Sequence, residues 1–416
     1  MPKMKDSDIE WIREMPISWN SAKLKYFCII NSGNFIPNND YDDEGEYPVI
    51  GGNGINGYCN KVNIKNCLVI GRVGALCGNV HLVDKESWVT DNALTVIASE
   101  DIINNKYLYY ILKAYDLNRI ANRSAQPLIT GTQVGNIEIP IINKYIQQQI
   151  INFLDKKCND IDFVIKSKET TNEKLKEYRQ SIIYEAVTKG LDKNAPMKDS
   201  GIEWIGLIPQ SWSIVRLKHS SILKGRIGWQ GLKANEFITE GPFLITGTNF
   251  SNGIIDWDSC VHITDERFDE APDIHISEND LLITKDGTIG KVALAVNCPD
   301  KVSLNSGVFV IKNNGNINYI NKYLYYILLS DIFWTWFRKS QNGNSTIIHL
   351  YQEQFYNFIY PVPATLTEQL EIVKFLDKKC ADIDAVISAN EKTIEKLKEY
   401  RQSIIYEAVT GKTEIV

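Results

Sequence analysis

The chain has 416 residues, of which 44% are hydrophobic and 23% are charged, and its formal net charge at pH 7 is −6. This length and composition exclude a disordered chain and favour two or three domains with their own cores. The net acidity argues against a simple basic nucleic-acid-binding protein. The polar start, MPKMKDSD, lacks the apolar run of a signal peptide, and no later run approaches the ~18 apolar residues of a membrane helix. We therefore expect a cytoplasmic protein.

Cysteine and histidine spacing gives no sign of a metal site. The eight cysteines include no CxxC pair, and the five histidines are scattered. We therefore expect no zinc, and free thiols in a reducing compartment.

A sixteen-residue motif with two tryptophans occurs twice, and we call each copy the Trp motif. Residues 4–19 read MKDSDIEWIREMPISW and residues 197–212 read MKDSGIEWIGLIPQSW, so eleven of the sixteen positions agree. We expect all four tryptophans to pack on a core rather than to bind a ligand.

A variable block follows each Trp motif, at residues 21–143 and 214–363. In both blocks short β-rich runs precede Gly/Asn turns, as in residues 67–70 before the turn Gly71-Arg72-Val73-Gly74. Both blocks also contain the helical sequence YLYYIL and a polar loop, which reads RSAQPLITG in the first and QNGNSTIIH in the second. The blocks share a plan and differ in their loops. This predicts two related globular domains of mixed α/β (α+β) class.

A helical pattern follows each block and ends in the same fourteen letters, LKEYRQSIIYEAVT, at residues 175–188 and again at residues 397–410. Apolar positions recur at alternating steps of four and three, which is a heptad seam. The predicted seam comprises Leu154, Cys158, Ile161, Ile165, Lys168, Asn172, Leu175, Arg179, Ile182 and Ala186 in the first helix, and Leu376, Cys380, Ile383, Ile387, Asn390, Ile394, Leu397, Arg401, Ile404 and Ala408 in the second.

Each helix spans about forty residues, or about 60 Å at ~1.5 Å per residue, and one apolar stripe on so long a helix needs a partner. The obvious partner is its own repeat. The intervening blocks favour an antiparallel coiled coil closed by a pseudo-two-fold axis. That symmetry places the first Trp motif beside the end of the second helix. The predicted domains are globular at 1–145 and 191–364, with helices at 146–190 and 365–416.

Sequence signatures of catalysis are missing. The phosphate-binding pattern GxxxxGK[ST] fails because Tyr406 stands where its first glycine belongs, before Gly411-Lys412-Thr413. No two of the thirteen prolines are adjacent, so the [DNS]PP[YF] signature of amino-methyltransferases cannot be present. The acidic run at residues 272–280 lacks the lysine of a metal-dependent nuclease centre. We therefore predict a non-catalytic protein.

The chain resembles, over essentially its whole length, the specificity (S) subunit of type I restriction–modification enzymes. The resemblance rests on the doubled Trp motif, the strand–glycine loop at residues 283–290, the exit Pro363 with Glu368-Gln369 and Phe375-Leu376-Asp377, and the helix end Arg401-Gln402-Ser403-Ile404. The first copy departs from the second at its exit, where Gln147-Gln148 stands in place of Glu368-Gln369.

This resemblance implies a function. Each block would be a target-recognition domain that reads one half of a split, asymmetric DNA sequence, and the coiled coil would set the separation of the half-sites. The helices would dock two modification (M) subunits, which carry S-adenosylmethionine and methylate adenine. Restriction (R) subunits would add translocation and cleavage that depend on ATP and Mg. The S subunit itself would hold no cofactor and have no catalytic activity.

Neither block is basic as a whole, because residues 21–143 hold ten Lys and Arg against twelve Asp and Glu, and residues 214–363 hold thirteen against fifteen. Phosphate contacts must then come from a local patch, best at residues 216–233, or from partner subunits. We predict DNA contacts from loop residues with polar or cationic side chains, namely Asn53, Arg72, Arg123, Gln126, Lys224, Arg226, Trp229, Lys285, Lys339, Gln341 and Asn344. We predict docking of partners on the helices through Tyr178, Arg179, Tyr184, Tyr400, Arg401 and Tyr406, with packing of the tyrosines along the helix pair as the alternative.

Two other functions remain open. One is a self-sufficient DNA methyltransferase or nuclease, which the missing signatures oppose. The other is a coiled-coil adaptor that binds protein rather than DNA, although a pure scaffold has no reason to diversify only the loops of its heads.

Overall fold

The computed structural model describes residues 3–74, 76–122, 127–226, 231–341 and 349–414. The chain divides into two compact units. The first unit combines Met1–Thr170 with Asn390–Val416, and the second unit is Thr171–Ala389. Each unit therefore contains one variable block together with segments of both long helices.

The first block is built from short strands and two helices, and the first long helix follows it. In chain order the elements are β1 (Met4–Asp6), β2 (Glu14–Pro16), β3 (Asn20–Lys23), β4 (Cys28–Ser32), β5 (Tyr47–Gly51), β6 (Gly54–Cys59), β7 (Cys67–Gly71), β8 (Val80–Val83), β9 (Trp88–Val89), β10 (Ala93–Ala98), α1 (Asn105–Tyr115), α2 (Gly131–Gly135), β11 (Glu138–Ile141) and α3 (Lys144–Lys189).

The second block repeats this order with additional short elements and leads into the second long helix. Its elements are β12 (Met197–Asp199), β13 (Leu207–Pro209), β14 (Ser213–Arg216), α4 (Leu217–Ser220), β15 (Ser221–Lys224), β16 (Ile238–Ile245), β17 (Phe250–Ser251), β18 (Ile254–Ile255), β19 (Val261–His262), α5 (Asp265–Asp269), β20 (Leu281–Thr284), β21 (Val292–Leu294), β22 (Val302–Leu304), β23 (Val308–Asn313), α6 (Asn321–Leu329), α7 (Asp331–Ser340), α8 (Gln352–Phe355), β24 (Ile359–Val362) and α9 (Leu366–Val409).

The central sheet of the first unit is antiparallel, with strand order β4-β10-β7-β8, and the order in the second unit is β15-β23-β20-β21, continued by β18 and β17. The register shows which residues correspond. Ala93 pairs with Gly71, the last residue of β7, and Val308 pairs with Thr284, the last residue of β20. The loops that leave β7 and β20 therefore start from equivalent positions.

A second, smaller sheet flanks the central one in each unit. Its order is β6-β5-β9 in the first unit and β19-β16-β22 in the second, and each contains one parallel pair, β5 with β9 and β16 with β22. The predicted strand at residues 67–70 and the two YLYYIL helices are confirmed in β7, α1 and α6, and β20 is the equivalent strand of the second unit. The mixed α+β class follows from these elements.

None of the described helices combines the length and the apolar character needed to cross a membrane.

One carboxylate ties the YLYYIL helix to the long helix in each unit. In the first unit the Tyr110 hydroxyl donates to Asp155 on α3 at 2.7 Å, and the Lys106 ammonium lies 2.6 Å from the same carboxylate. In the second unit the Tyr326 hydroxyl donates to Asp377 on α9 at 2.6 Å. Burial, together with the bond to the carboxylate, raises the pKa of both tyrosines, so both remain donors.

A buried glutamine at the start of each long helix corrects the sequence alignment. The Gln147 amide accepts from Asn104 N at 2.8 Å and donates to Ile102 O at 2.9 Å. The Gln369 amide accepts from Ile320 N at 2.9 Å and is likewise 1% exposed. Gln147 therefore corresponds to Gln369, and the pairing of Gln147-Gln148 with Glu368-Gln369 made from the sequence is wrong by one residue. Each glutamine satisfies main-chain groups that precede α1 or α6, which no apolar side chain could do.

The predicted heptad positions are the side chains that the long helices bury or half-bury, whereas most positions between them are exposed. In the first unit Asp162 lies 3.3 Å from Arg401, and the Lys168 ammonium donates to Asn390 at 3.0 Å. As the residue number rises along α3 it falls along α9, so these segments run antiparallel. Buried Ile161 and Ile165 belong to the same core as Ile394 of α9. Each such side chain contributes about 1.5–3 kcal/mol to the free energy of unfolding when it is fully buried.

The first Trp motif lies beside the end of α9, which confirms the expectation from the sequence. The Tyr406 hydroxyl donates to Trp11 O at 3.4 Å, and the indole of Trp11 donates to Glu138 O at 2.9 Å. Just after α9, Gly411 adopts a left-handed backbone with φ +73° and lies against Pro16 and Trp19. The tryptophans therefore pack on the core as predicted, and Trp19 is 6% exposed.

Gly411→Ala in the first unit should destabilise the protein more than Gly315→Ala in the second unit does. Both glycines have positive φ, but a Cβ at Gly411 would lie 2.5 Å from Pro16, whereas nothing lies within 4 Å of a Cβ at Gly315. We expect Gly315→Ala to cost about 1–2 kcal/mol of backbone strain and Gly411→Ala to cost about 1–3 kcal/mol more from steric overlap. Thermal unfolding of both variants measures the difference, and equal shifts would contradict this packing.

Candidate nucleic-acid interface

Several loops of the first block leave the central sheet at one edge. Strands β4 and β7 both end where β10 begins, because Leu94 pairs with Ser32 and Ala93 with Gly71. The turn between β5 and β6 reaches the same place, since a Cβ on Gly52 would lie 3.0 Å from the Cα of Gly71. We call this edge the strand-end edge of the first unit. Its counterpart in the second unit lies where β15 and β20 end and β23 begins.

Arg72 is the first residue beyond β7 and lies at the strand-end edge. Its Nη1 donates to the Ser32 hydroxyl at 2.6 Å, and its carbonyl accepts from Ile129 N at 2.9 Å. Ile129 closes the long polar loop, so this loop returns to the sheet beside Arg72. The predicted contacts Arg123 and Gln126 belong to that loop and lie outside the described residues.

Lys285 occupies the equivalent place in the second unit. Its carbonyl accepts from Leu350 N at 3.1 Å, which ends the polar loop of the second block in the same manner. Its ammonium lies 4.6 Å from the centre of the Phe309 ring, a cation–π contact that keeps the charge at the edge. The predicted contacts Trp229 and Asn344 fall outside the described residues. Gln341 is half-buried and is the last described residue before the gap at residues 342–348.

A cleft of about 580 Å³ opens beside Arg72, between β4 and α2. Among the described residues that line it, two have cationic side chains and none is acidic. The Lys25 ammonium lies on one side and donates to Asn136 Oδ1 at 2.9 Å. Lys25 is not among the residues predicted from the sequence to contact DNA. The lining residues are Lys25, Cys28, Ile30, Asn31, Ser32, Arg72, Leu94, Gly131, Thr132, Gly135 and Asn136.

A second cleft of about 380 Å³ lies at the same edge and is rich in amide side chains. It brings together the predicted contact Asn53, which is exposed, with Asn56 and Asn92. Amide groups both donate and accept, as base edges require. The strand-end edge of the first unit thus combines Arg72 with three amides, and Lys25 lines the first cleft from the opposite end of β4.

Arg226 does not lie on the surface, and this corrects the prediction that it contacts DNA. Its side chain is 2% exposed, and its Nε donates to Leu304 O at 2.9 Å. A second donor of the guanidinium reaches the Ser303 hydroxyl at 3.1 Å. Burial, with the nearby charge of Arg267, lowers the pKa of this arginine. Arg226 holds the end of β22 in place and is not available to a DNA groove.

Two other predicted cations have carboxylate partners. Lys224, the last residue of β15, lies 2.7 Å from Asp273, and this contact lowers the pKa of the Asp273 carboxyl. Lys339 pairs with Glu203 and lies 5.1 Å from the Trp204 ring, so its contacts are with the second Trp motif rather than with the strand-end edge. The described residues of the stretch 216–233 therefore do not form one free basic surface, because Arg226 is buried and Lys224 is paired.

Comparison with known proteins identifies the family. The sequence model of the type I restriction modification DNA specificity domain matches residues 16–177 and 224–399. The chain belongs to this family. Its role is therefore DNA sequence specificity in a type I restriction–modification system, and specificity subunits are the non-catalytic components of such systems.

Individual relatives agree with this family. The MjaVIII specificity subunit of Methanocaldococcus jannaschii is 22% identical over 351 residues, which cover 82% of this chain and 78% of that subunit. The EcoprrI specificity subunit of Escherichia coli is 36% identical over 131 residues, a match that spans 30% of this chain and only 32% of the relative. A chain solved in work on complex assembly and conformational transition of the type I R-M system has a TM-score of 0.70 at 16% identity. That match covers 96% of this chain and 99% of the solved one, which shows a shared fold.

The six residues predicted to dock partners of this specificity subunit differ in exposure. Tyr178 and Tyr400 are exposed, at 56% and 55%. The hydroxyl of Tyr184 donates to Trp204 O at 3.1 Å, and Tyr406 is engaged by the first Trp motif, so both tyrosines serve packing inside their units. The remaining two, Arg179 and Arg401, lie on the helix seam and pair with Asp384 and Asp162.

In the described parts of the specificity subunit, no group of three or more His, Cys, Asp and Glu side chains is placed to hold a metal ion.

Arg226→Ala should lower stability without changing the ionic component of DNA binding. Removing the guanidinium leaves the buried Leu304 carbonyl without its donor, which costs about 1–3 kcal/mol. Lys224→Ala is the control for stability alone, because its exposed ion pair contributes little to folding, and Lys85→Ala, at the opposite end of the first sheet, is the control for the salt slope. Thermal unfolding and the salt dependence of DNA binding separate the two effects. A reduced salt slope in a folded Arg226→Ala protein would contradict the buried placement.

Proposed function

We propose that each strand-end edge of this specificity subunit contacts one half of a bipartite, asymmetric DNA target. The observation that carries the proposal is the equivalent placement of Arg72 and Lys285. Each follows the last residue of an equivalent central strand, and each main-chain carbonyl receives the returning polar loop of its own block. The cations are thus held on rigid strands while the loops beside them differ in sequence. A shared scaffold with divergent loops suits two recognition domains that read different half-sites.

We also propose that α3 and α9 form an antiparallel coiled coil with pseudo-two-fold symmetry that sets the separation of the half-sites. The antiparallel contacts of the first unit support this, as does the burial of the heptad positions along both helices. Equivalent contacts recur in the second unit, where Arg179 lies 3.4 Å from Asp384. The long helices are rigid spacers, so the spacing between half-sites would be a property of the helices and not of the loops.

Two modification subunits would dock on the helices, and Tyr178 and Tyr400 are the exposed candidates for this contact. They occupy the same place in the repeated sequence LKEYRQSIIYEAVT. Two identical partners require two identical surfaces, which explains why this fourteen-residue segment is unchanged between the halves. S-adenosylmethionine would be held by the modification subunits, and ATP and Mg by restriction subunits, with no cofactor in this chain.

Arg72→Ala and Lys285→Ala should each weaken target binding by the assembled complex about 10- to 100-fold, the effect of losing about 1–3 kcal/mol per contact. Footprinting should show the loss over one half-site for Arg72→Ala and over the other for Lys285→Ala. Lys85→Ala is the control, because this exposed cation follows β8 at the opposite end of the sheet. If neither variant differs from the control, the strand-end edges do not face DNA.

The isolated specificity subunit should bind its target weakly, and the complex with modification subunits should bind it tightly. The reason is electrostatic, because the first block carries ten basic against twelve acidic side chains and cannot attract phosphates by its net charge. Titration of the same duplex at matched salt measures both affinities. Equal affinities would show that the chain alone supplies the phosphate contacts.

A further inference from the structure

The two strand-end edges differ beside their outer strands, β4 and β15. Main-chain bonds align the segments that flank them. Ile129 N donates to Arg72 O as Leu350 N donates to Lys285 O, so α2 and α8 begin at equivalent places. By this alignment, Gln352 and Tyr356 of the second unit take the positions held in the first unit by two glycines, Gly131 and Gly135.

In the second unit these two side chains cover the outer strand. Leu223 N donates to the hydroxyl of Tyr356 at 3.1 Å, and the Gln352 amide donates to Leu223 O at 3.2 Å. The unpaired side of β15 is therefore capped by side chains of its own unit. Capping of this kind removes an edge that would otherwise accept a ligand or another strand.

Among the described residues of the first unit, no side chain covers the outer strand in this way. Ile30 stands where Leu223 stands, because their partners Val96 and Ile311 occupy the same register in β10 and β23. A Cβ on Gly131 would lie 3.4 Å from Ile30, in ordinary contact, so the glycine leaves space rather than avoiding a clash. Neither Gly131 nor Gly135 has positive φ, so no backbone conformation requires glycine at either position. The pair of glycines creates the 580 Å³ cleft.

The charges around this cleft favour an anion. The Lys25 ammonium contacts the neutral Asn136 amide and the Arg72 guanidinium contacts the neutral Ser32 hydroxyl, so both partners leave the positive charge uncompensated. The part of the lining that the structure describes contains hydroxyl and amide groups and no carboxylate. Such a combination of cations with short polar side chains is the usual surrounding of DNA phosphate oxygens.

The lining argues against an extruded base as the occupant. A flipped nucleobase is held by stacking between aromatic or flat apolar side chains. None of the described residues that line the cleft is aromatic. The phosphodiester group, which needs charge and hydrogen bonds but no stacking surface, fits better.

We propose that the cleft between β4 and α2 seats a backbone phosphate of the DNA beside the first half-site, with Lys25 and Arg72 as its cationic contacts. In the described part of the second unit, Gln352 and Tyr356 occupy the corresponding space beside β15. This inference rests on the proposed function, in which the strand-end edges face DNA. It adds an asymmetry, since one recognition domain anchors the sugar–phosphate backbone in a cleft and the other does not.

The test compares Lys25→Gln with Lys218→Gln in the complex with modification subunits. Lys218 is the equivalent residue of the second unit, since Leu24 N donates to Ile137 O as Leu217 N donates to Phe358 O. Like Lys25 it is exposed, so the two substitutions remove equivalent surface charges. We expect Lys25→Gln to weaken binding of the target duplex at least tenfold and to reduce the salt slope by about one. Lys218→Gln should change the affinity less than threefold.

A second variant fills the cleft without removing a charge. The double substitution Gly131→Gln and Gly135→Tyr installs the side chains of the second unit, and thermal unfolding checks that it folds. We expect it to weaken binding as Lys25→Gln does, and to abolish ethylation interference at one phosphate beside the first half-site. Should the double variant not fold, Lys25→Gln and its control carry the test by themselves.

The outcomes distinguish this inference from the proposed function. Suppose that Arg72→Ala and Lys285→Ala weaken binding while Lys25→Gln and the double variant that fills the cleft leave affinity and interference unchanged. The proposed phosphate site is then wrong, and the proposal that the strand-end edges contact DNA is retained. If all four leave binding unchanged, both proposals fail together.

Discussion

The long helices α3 and α9 depend on their shared seam, because each has a single apolar stripe that it cannot bury alone. The seam is not purely apolar. Arg401 contacts Asp162 in the first unit, and Arg179 contacts Asp384 in the second, each next to a buried cysteine of the opposite helix. Burial raises the pKa of Cys158 and Cys380, so both remain thiols that can neighbour an arginine without forming a second ion pair. A polar side chain in a seam is satisfied only in one register, which makes these contacts suited to fixing how the helices align.

The seam in turn holds the recognition domains through a small set of repeated contacts. Asp155 and Asp377 each receive a tyrosine hydroxyl from the helix that covers the central sheet. Gln147 and Gln369 each satisfy main-chain groups at the start of that helix. These polar ties resist sliding because a displaced donor or acceptor would be left buried and unpaired. The loops at the strand-end edges can therefore vary without disturbing the platform.

An acidic protein can still bind DNA if its cations are concentrated where phosphates approach. Local fields fall off within about one Debye length, roughly 8–10 Å at physiological salt, so the distribution of charge matters more than its sum. Arg72 and Lys25 have neutral partners, whereas Lys224 and Lys339 are paired with carboxylates. The net charge of each block does not show which of its cations are paired with carboxylates. Contacts supplied by partner subunits would add to the attraction for DNA phosphates.

The amino-acid sequence alone determined the features that follow from the internal repeat of the chain and from the regular spacing of its apolar residues. The heptad seam, the strands around β7 and β20, and the position of the first Trp motif beside the end of α9 were predictable, because identical segments must find equivalent surroundings. Arg72 and Lys285 were accessible to the same reasoning, as long cations directly after central strands. Only the tertiary structure decided which neighbouring side chains each loop residue meets. It buried Arg226 against the Leu304 carbonyl, moved the alignment at Gln147 by one residue, and opened a cleft at Gly131 and Gly135 that Gln352 and Tyr356 close in the other unit. A sequence period defines one face of a helix or strand, but a loop has no period, so its orientation depends on contacts between residues far apart in the chain.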